Sequence, residues 1–468
     1  MMNLYNHISK HSKRSFIDYN NRVFSYSEVV ENANRIRNSL DLFSVSHQSK
    51  VVLYLNNPLD FIEAWIGCMM LPVTSIIFHK DLTNSELEAN IAKINPDVII
   101  SSWYNKSQIL NFKCTKIYIE ECSGKLGGCP IPREVFGGSN IISILMTSGT
   151  ESDFKFVKLS EQSLINSAVM WNEQLKFKKS DIFCLSLPLS HISGLSILIR
   201  AIIFGCQIKL LDQYSSDNIY KLIYNNKIEW ISLVPSMLSD LVKYDFSKFN
   251  SDKFRGIILG GSSAPKHLLE LSINKNIPIF YSYGMTETAS GISGFWIHQS
   301  LNKLESCGQL FCGVDIQFTN KKNIKIKSKS NMSGYLNASL MQNEYIETND
   351  YGYLDKEGFL YIEGRKDDII ISGGKNISIK EIENIIIQHK DIKDVSVLGI
   401  PDKKWGQKLV AYIVTISEVN KNIFIEELIN WQKEFISKYK IPKDYKFICK
   451  IPRSNLGKIN YKKMQNFL

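Results

Sequence analysis

The stretch Gly364 to Lys375, GRKDDIIISGGK, divides the chain into what reads as a pocket before it and a lid after it. Gly364-Arg365-Lys366-Asp367-Asp368 is turn-forming and charged, while Ile369-Ile370-Ile371 is a short apolar strand running into the pair Gly373-Gly374. Such a segment suits a hinge between two compact units, and equally a β-turn beside a solvated charge cluster. What flanks it decides between these readings.

On the N-terminal side, Ser25 and Glu28 form a capping-box pattern, and Val29, Val30, Ala33, Ile36 and Leu40 follow at helical spacing. Strands are expected at Val51 to Leu55, Val98 to Ile100, Asp181 to Leu187, Ile208 to Leu211, Trp230 to Val234 and Ile257 to Gly260, separated by segments of helical length. That alternation predicts an α/β fold, with parallel sheets covered by helices on both faces. Asp315 to Tyr361 turns short, Lys-rich and alternating, as a small β subdomain would. On the C-terminal side, Ile379 to Gln388 reads as an amphipathic helix, and Val395 to Thr415 as two strands joined by a Gly399 to Gly406 turn. The expected organisation is a large domain over residues 1–364 and a small mobile α+β lid over 365–468, pivoting at Asp367.

Composition narrows the function. At 468 residues, with 44% hydrophobic residues and 12 prolines, the chain is too long for one core and reads as globular. The net charge of +10 is spread along the chain, so a phosphate-rich small molecule or an acidic protein suits it better than nucleic acid. The nine cysteines lack metal-binding spacing and read as reduced residues of a cytoplasmic protein. No signal peptide is expected, because MMNLYNHISKHSKR at the N-terminus has no apolar core, and no membrane span, because the longest apolar run, Phe61 to Phe78, is broken by Glu63 and Pro72.

Two segments carry chemistry. Ile141 to Val157, IISILMTSGTESDFKFV, is an apolar strand breaking into a Thr/Ser/Gly loop with Lys155, fit to cradle phosphate or to make a plain polar turn. SYGMTET at Ser282 to Thr288 follows a strand expected at Pro278 to Tyr281. Its Tyr could lie on a flat base, Thr286 meet a phosphate and Glu287 offer oxygen to Mg²⁺; alternatively Thr286 caps a helix.

Five segments in order decide the matter: TSGT with Lys155, the LGG of Leu259 to Gly261, SYGMTET, Thr348-Asn349-Asp350 with GRKDD, and PRSNLGK at Pro452 to Lys458. On these the chain resembles the adenylate-forming superfamily of acyl-CoA synthetases, luciferases and peptide-synthetase adenylation domains. Within it, Leu187 to Gly205, LGGSSAP and SYGMTETAS are most similar to the o-succinylbenzoate–CoA ligase branch of menaquinone biosynthesis. The resemblance implies an enzyme that joins a carboxylic acid, aryl or short acyl such as o-succinylbenzoate, to AMP from ATP with Mg²⁺, and then passes it to coenzyme A. It also implies residue roles. Thr147, Ser148, Gly149, Thr150 and Lys155 would hold the β- and γ-phosphates, Thr286 the α-phosphate and Glu287 the Mg²⁺. Tyr283 would stack on adenine beside Gly260 and Gly261, and Asp350 and Arg365 would bind the ribose. Lys458 would bridge the attacking carboxylate and the α-phosphate; after rotation about Asp367, Gly373, Gly374 and Lys375 would line the thiol tunnel. His191 would gate that tunnel, Ser262 would face substrate, and Arg200 would pair with a second substrate carboxylate or sit as a rim arginine.

The phosphate loop departs from the family pattern, since Glu151, Ser152 and Asp153 stand where small residues are expected. A carboxylate about 4 Å from a phosphate charge, at an effective dielectric of about 20, costs roughly 4 kcal/mol. The loop escapes that cost if Glu151 turns outward, pairs with Lys155 or Lys158, or helps hold Mg²⁺. Two other readings therefore stand beside the CoA ligase: an adenylating enzyme that loads an acidic carrier protein, and a degenerate member that binds nucleotide or acyl ligand without turnover. A homodimer is left open.

Overall fold

The computed structural model describes residues 3–43, 45, 49–122, 140–147, 154–246, 253–320, 322–341, 344–365, 369–372, 375–402, 405–453, 459 and 463–464. They fall into two bodies: residues 1–261, 266–315 and 326–346 make the first, and 262–265, 316–325 and 347–468 the second.

In the first body the expected capping box is formed. The Ser25 hydroxyl accepts from the Glu28 N–H and the Glu28 carboxylate accepts from the Ser25 N–H at 2.7 Å, which starts the helix Tyr26–Leu42. Its buried stripe, Val29, Ala33, Ile36 and Leu40, is the one the spacing predicts. A six-stranded sheet runs in the order Thr115–Tyr118, Val98–Ser101, Lys50–Tyr54, Thr74–Ile77, Ile141–Thr147, Lys155–Ser160. Only its last pair is antiparallel. A nine-stranded sheet has a parallel centre in the order Ile279–Met285, Gly256–Leu259, Trp230–Leu233, Ile182–Leu185, Gln207–Leu210, Ser15–Tyr19. Antiparallel strands Ser290–Trp296 and Arg22–Ser25 flank that centre.

Strands such as Val98–Ser101 and Trp230–Leu233 are buried at every position, because both faces of a parallel sheet are covered. One apolar core joins both sheets through Trp65, Trp171, Phe183 and Ile197; a second, with Val52, Phe78, Ile91 and Phe156, covers the outer face of the six-stranded sheet. Leu187 to Gly205 builds the helix Ile192–Phe204 with His191 as its N-cap residue. Its 13 residues are apolar nearly all round because it is buried between layers.

The second body holds most of a small four-stranded sheet, Asp315–Phe318, Asn323–Lys327, Ile346–Leu354 and Leu360–Arg365, as the alternating stretch predicts. It continues into an α+β unit. Ile369–Ser372 and Lys375–Ser378 pair as an antiparallel hairpin, and the helix Ile379–Ile386 packs on the strands Ile392–Asp402 and Gly406–Thr415. The expected turn from Gly399 to Gly406 is shorter than predicted: Gly399 lies within a strand, opposite Leu409, and Pro401 opposite Gln407. Gly399 serves packing, since a Cβ there would stand 2.6 Å from Ile370 Cδ1. Among the described residues no helix is long and apolar enough to cross a membrane.

Candidate active site

In the first body, the strand Ile141–Thr147 and the antiparallel strand Lys155–Ser160 are the two arms of the Thr/Ser/Gly loop. Thr147 and Lys155 are cross-strand partners, so the ladder brings together the residues at the two ends of that loop. Ser148, Gly149, Thr150, Glu151 and Asp153 lie outside the described residues. Lys155 is exposed; its Nζ stands 5.6 Å from the centroid of the Tyr335 ring. Burial lowers the pKa of Lys158, whose ammonium donates to the Ala338 carbonyl at 2.8 Å, so Lys158 is already engaged.

The strand expected to end at Tyr281 continues to Met285, carrying half-buried Tyr283 opposite Ser293. Thr286–Thr288 is a single 3₁₀ turn, and its cap is Thr288 rather than Thr286. The buried Thr288 hydroxyl accepts from the Met285 N–H at 3.1 Å and donates to the Ser290 carbonyl at 2.7 Å. The short side chain two residues on closes the turn, which leaves the Thr286 hydroxyl without a hydrogen bond among the described residues. The turn is tight: Ala289 and Ser290 have φ of 52° and 133°. Gly260, just past the strand Gly256–Leu259, is closely packed, since a Cβ would meet Ser282 Oγ at 3.0 Å, and Gly261 has φ +84°.

Glu287 is half-buried. Its Oε1 accepts from the Tyr335 hydroxyl at 3.1 Å, and no described residue forms an ion pair with it. Burial, and then the Glu287 charge, raise the pKa of the Tyr335 phenol, so its proton stays in place. Among the described residues no three His, Cys, Asp or Glu side chains cluster as a metal cage. A lone carboxylate fits Mg²⁺, which is commonly held by one or two carboxylates together with phosphate oxygens and water.

His191 has a histidine neighbour. The His79 ring lies 4.1 Å from it, centroid to centroid, and His79 Nδ1 is 2.9 Å from the Ser190 hydroxyl. Burial lowers the His79 pKa to about 4, so this imidazole is neutral. Arg200 is no rim residue; it is 2% exposed. Its guanidinium carbon lies 4.9 Å from the Trp171 ring and 6.0 Å from that of Phe183, and its Nη2 donates to Ser196 Oγ at 2.9 Å. Its Nη1 has no hydrogen-bond partner among the described residues. Desolvation brings its pKa down to about 9. The crevice beside it, lined by Ser167, Trp171, Ser196 and Ala289, is too tight for a water molecule.

In the second body, Asp350 and Arg365 face each other across the ladder, and Arg365 Nε donates to Asp350 Oδ1 at 2.8 Å. Asp350 is buried, and the Thr348 hydroxyl accepts from its N–H at 3.1 Å while donating to the Ile324 carbonyl at 2.9 Å. The two residues expected at a ribose are thus one fixed pair. Ser262 is exposed, and Lys375 opens the second strand of the hairpin. Asp367, Gly373, Gly374 and Lys458 lie outside the described residues. Sequence reasoning missed Tyr335 and His79. The sequence around Tyr335, beside Gly334 in a polar loop, carried no such signal; for His79 there was only its position just past a buried strand.

The fold and these side chains define an AMP-binding enzyme: that family matches residues 4–336, and the AMP-binding enzyme C-terminal domain matches residues 381–458, so the chain belongs to the AMP-binding enzyme family. Among relatives, a 2-succinylbenzoate–CoA ligase of Bacillus cereus is 30% identical over 462 residues, covering 95% of this chain and 94% of that one. Among solved structures, the o-succinylbenzoate CoA synthetase of Bacillus subtilis in complex with its acyl-adenylate intermediate matches with a TM-score of 0.88 at 28% identity, covering 99% of this chain and 97% of that one. The same enzyme in complex with ATP and magnesium ion matches at 0.87 and 27% identity, covering 98% of this chain and 99% of that one.

Proposed function

We propose that this chain is an AMP-forming acid–CoA ligase acting on o-succinylbenzoate. The chemistry follows from the leaving group. A carboxylate cannot pass its acyl carbon to a thiol while oxide must depart. The carboxylate oxygen therefore attacks the α-phosphorus of ATP, the α–β bridge bond breaks, and pyrophosphate leaves. The sulfur of coenzyme A then attacks the acyl carbon, giving up its proton, and AMP leaves. What the protein must do is hold a charged, in-line phosphoryl centre.

The observation that carries this reading is the grouping of Lys155, Tyr335 and Glu287 near Thr286, whose hydroxyl has no hydrogen bond among the described residues, in a chain 30% identical to a 2-succinylbenzoate–CoA ligase. Lys155 would meet the outer phosphates together with Thr147, Ser148, Gly149 and Thr150. Thr286 would meet the α-phosphate, and Tyr283 would lie on adenine against Gly260 and Gly261. Glu287 would hold the Mg²⁺, which when bound neutralises charge on the polyphosphate. The Asp350–Arg365 pair suits a ribose, because a buried carboxylate fixed on one side by a guanidinium can still accept from sugar hydroxyls. Lys458 would bridge carboxylate and α-phosphate, and the lid carrying it would turn about Asp367, bringing Gly373, Gly374 and Lys375 to the thiol. His191 would stand at the thiol entrance. Ser262 and Arg200 would face the acid, the latter only once its crevice opens. The eight described cysteines form no disulfide with one another, which suits a reducing cytoplasm. A carrier protein is the second acceptor that the net charge of +10 favours.

The test is ATP–pyrophosphate exchange across o-succinylbenzoate, benzoates and medium fatty acids, followed by AMP release on adding CoA or holo-carrier protein. Exchange with o-succinylbenzoate and release with CoA are expected; exchange with no acid at all would overturn the reading.

A further inference from the structure

Tyr335 belongs to none of the motifs from which the function was read, yet the segment around it ties two of them together. The Met332 N–H donates to the Glu287 carbonyl at 2.7 Å, and the Ser333 N–H to the Lys158 carbonyl at 2.9 Å. The Lys158 N–H returns a bond to Gly334, the Leu336 N–H donates to Phe156, and Tyr335 itself bridges Val157. Five successive residues thus fix the strand that carries Lys155 relative to the turn that carries Glu287.

The Tyr335 side chain repeats this with chemistry. Its hydroxyl is the only described donor to the Glu287 carboxylate, and it engages Oε1 at 3.1 Å. Its ring face carries the Lys155 ammonium at 5.6 Å. Lys155 and Glu287 make no ion pair with each other, nor with any other described residue. That separation matters, because a Lys–Glu pair closed on itself would cancel the two charges that a metal–triphosphate needs held apart.

We propose that Tyr335 is a positioning residue for the metal–nucleotide: its hydroxyl fixes Glu287 with one oxygen left for a divalent cation, and its ring keeps Lys155 beside that carboxylate but off it. The proposal rests on the ligase reading for the identity of the ligand. It goes further by giving an aromatic residue outside the phosphate loop the role of keeping cation site and phosphate site distinct. Outer-sphere partners of this kind set metal affinity more than they set folding.

The experiment uses the full chain and two variants. Tyr335→Phe keeps the ring and removes the donor; Tyr335→Leu removes both. Mn²⁺ binding is titrated by electron paramagnetic resonance in the presence of a non-hydrolysable ATP analogue, and nucleotide binding is measured separately without metal. For Tyr335→Phe, Mn²⁺ affinity should fall about tenfold, with metal-free nucleotide affinity, thermal stability and thioester formation from pre-made acyl adenylate unchanged. Tyr335→Leu should lose metal-free nucleotide affinity as well, because Lys155 is then free to close on Glu287. Should Tyr335→Phe bind Mn²⁺ as tightly as the parent, the assignment is overturned; because that variant keeps the ring, this outcome stands whatever Tyr335→Leu does. If the parent binds Mn²⁺ and nucleotide but makes no adenylate with any acid, the ligase reading fails, and the metal affinities still judge Tyr335.

Discussion

Arg200 shows how much a single buried charge can reveal. A guanidinium taken out of water without a carboxylate costs several kcal/mol unless its hydrogens are satisfied, and here Nη1 has no partner among the described residues while the Ser196 carbonyl and hydroxyl accept from Nε and Nη2 beside aromatic faces. A charge held at such a cost is either a structural stack or a reserve for an anion that arrives later. Arg200→Met separates the two. As a substrate contact, it should raise KM for o-succinylbenzoate at least about tenfold, roughly the cost of removing one partner of a charge-assisted bond, and leave KM for benzoate unchanged, with thermal stability equal or higher. A fall in stability with both KM values unchanged would make Arg200 structural. His79 gives a pH prediction. Its ordinary value of 6.5 is lowered to about 4 by burial, against a smaller opposing pull from Asp81, so below pH 6.5 the unfolded chain takes up a proton that the folded chain refuses. Its contribution to stability is complete above pH 6.5 and is lost as pH falls through 6.5 toward 4. Melting temperatures across that range should fall less steeply in His79→Gln than in the parent; parallel slopes would show that His79 does not carry the effect.

At the scale of elements, the turn after SYGMTET is the most constrained place in the first body. A Cβ on Gly284 would stand 2.1 Å from the Ser290 carbonyl oxygen, which is backbone and cannot step aside without moving Ala289 and Ser290 out of their left-handed conformations. Gly284→Ala should cost about 1–3 kcal/mol of stability and raise KM for ATP, because the turn carries Thr286 and Glu287. Gly358→Ala, at φ +80° with open space around it, should cost only about 1–2 kcal/mol of backbone strain and leave ATP binding alone. Urea unfolding with pyrophosphate-exchange kinetics measures both.

The same scale shows what could be read in advance. Strands such as Val98–Ser101 and Gly256–Leu259 were legible because burial on both faces makes them continuous apolar runs. Thr74–Ile77 was not, since its apolar residues merge with the helix Pro58–Met69 before it. The hairpin Ser15–Ser25 was overlooked although Asn20 and Asn21, with φ of 48° and 62°, are the pair that a two-residue hairpin turn favours. In the site, residues within one motif were legible. Contacts that depend on chain separations, such as Tyr335 with Glu287 and His79 with His191, were not, because nothing local in the sequence encodes them.

At the scale of the molecule, the proposed two-step chemistry makes demands on the lid that a single mutation can divide. Lys458→Ala should abolish adenylate formation and spare thioester formation from pre-made acyl adenylate, whereas Asp367→Pro, by fixing the backbone at the pivot, should do the reverse. Single-turnover assays of each half-reaction measure the split; equal losses in both halves for either variant would refute the division of labour.

The pairing of Ser15–Tyr19 with Gln207–Leu210 carries a last consequence. Ile17 stands opposite Ile208, Asp18 opposite Lys209, and the ammonium of Lys209 reaches Asp18 Oδ1 at 2.9 Å. The strand Ser15–Tyr19 must therefore wait for a partner made some 190 residues later, through a delay of roughly ten to forty seconds at ordinary rates of synthesis. Until then its apolar residues Phe16, Ile17 and Tyr19 have only their own hairpin and the helix that follows it, whose Tyr26 stacks on Phe16, for shelter. Nascent chains halted before residue 207 should thus be caught by holding chaperones, and those halted well past it released.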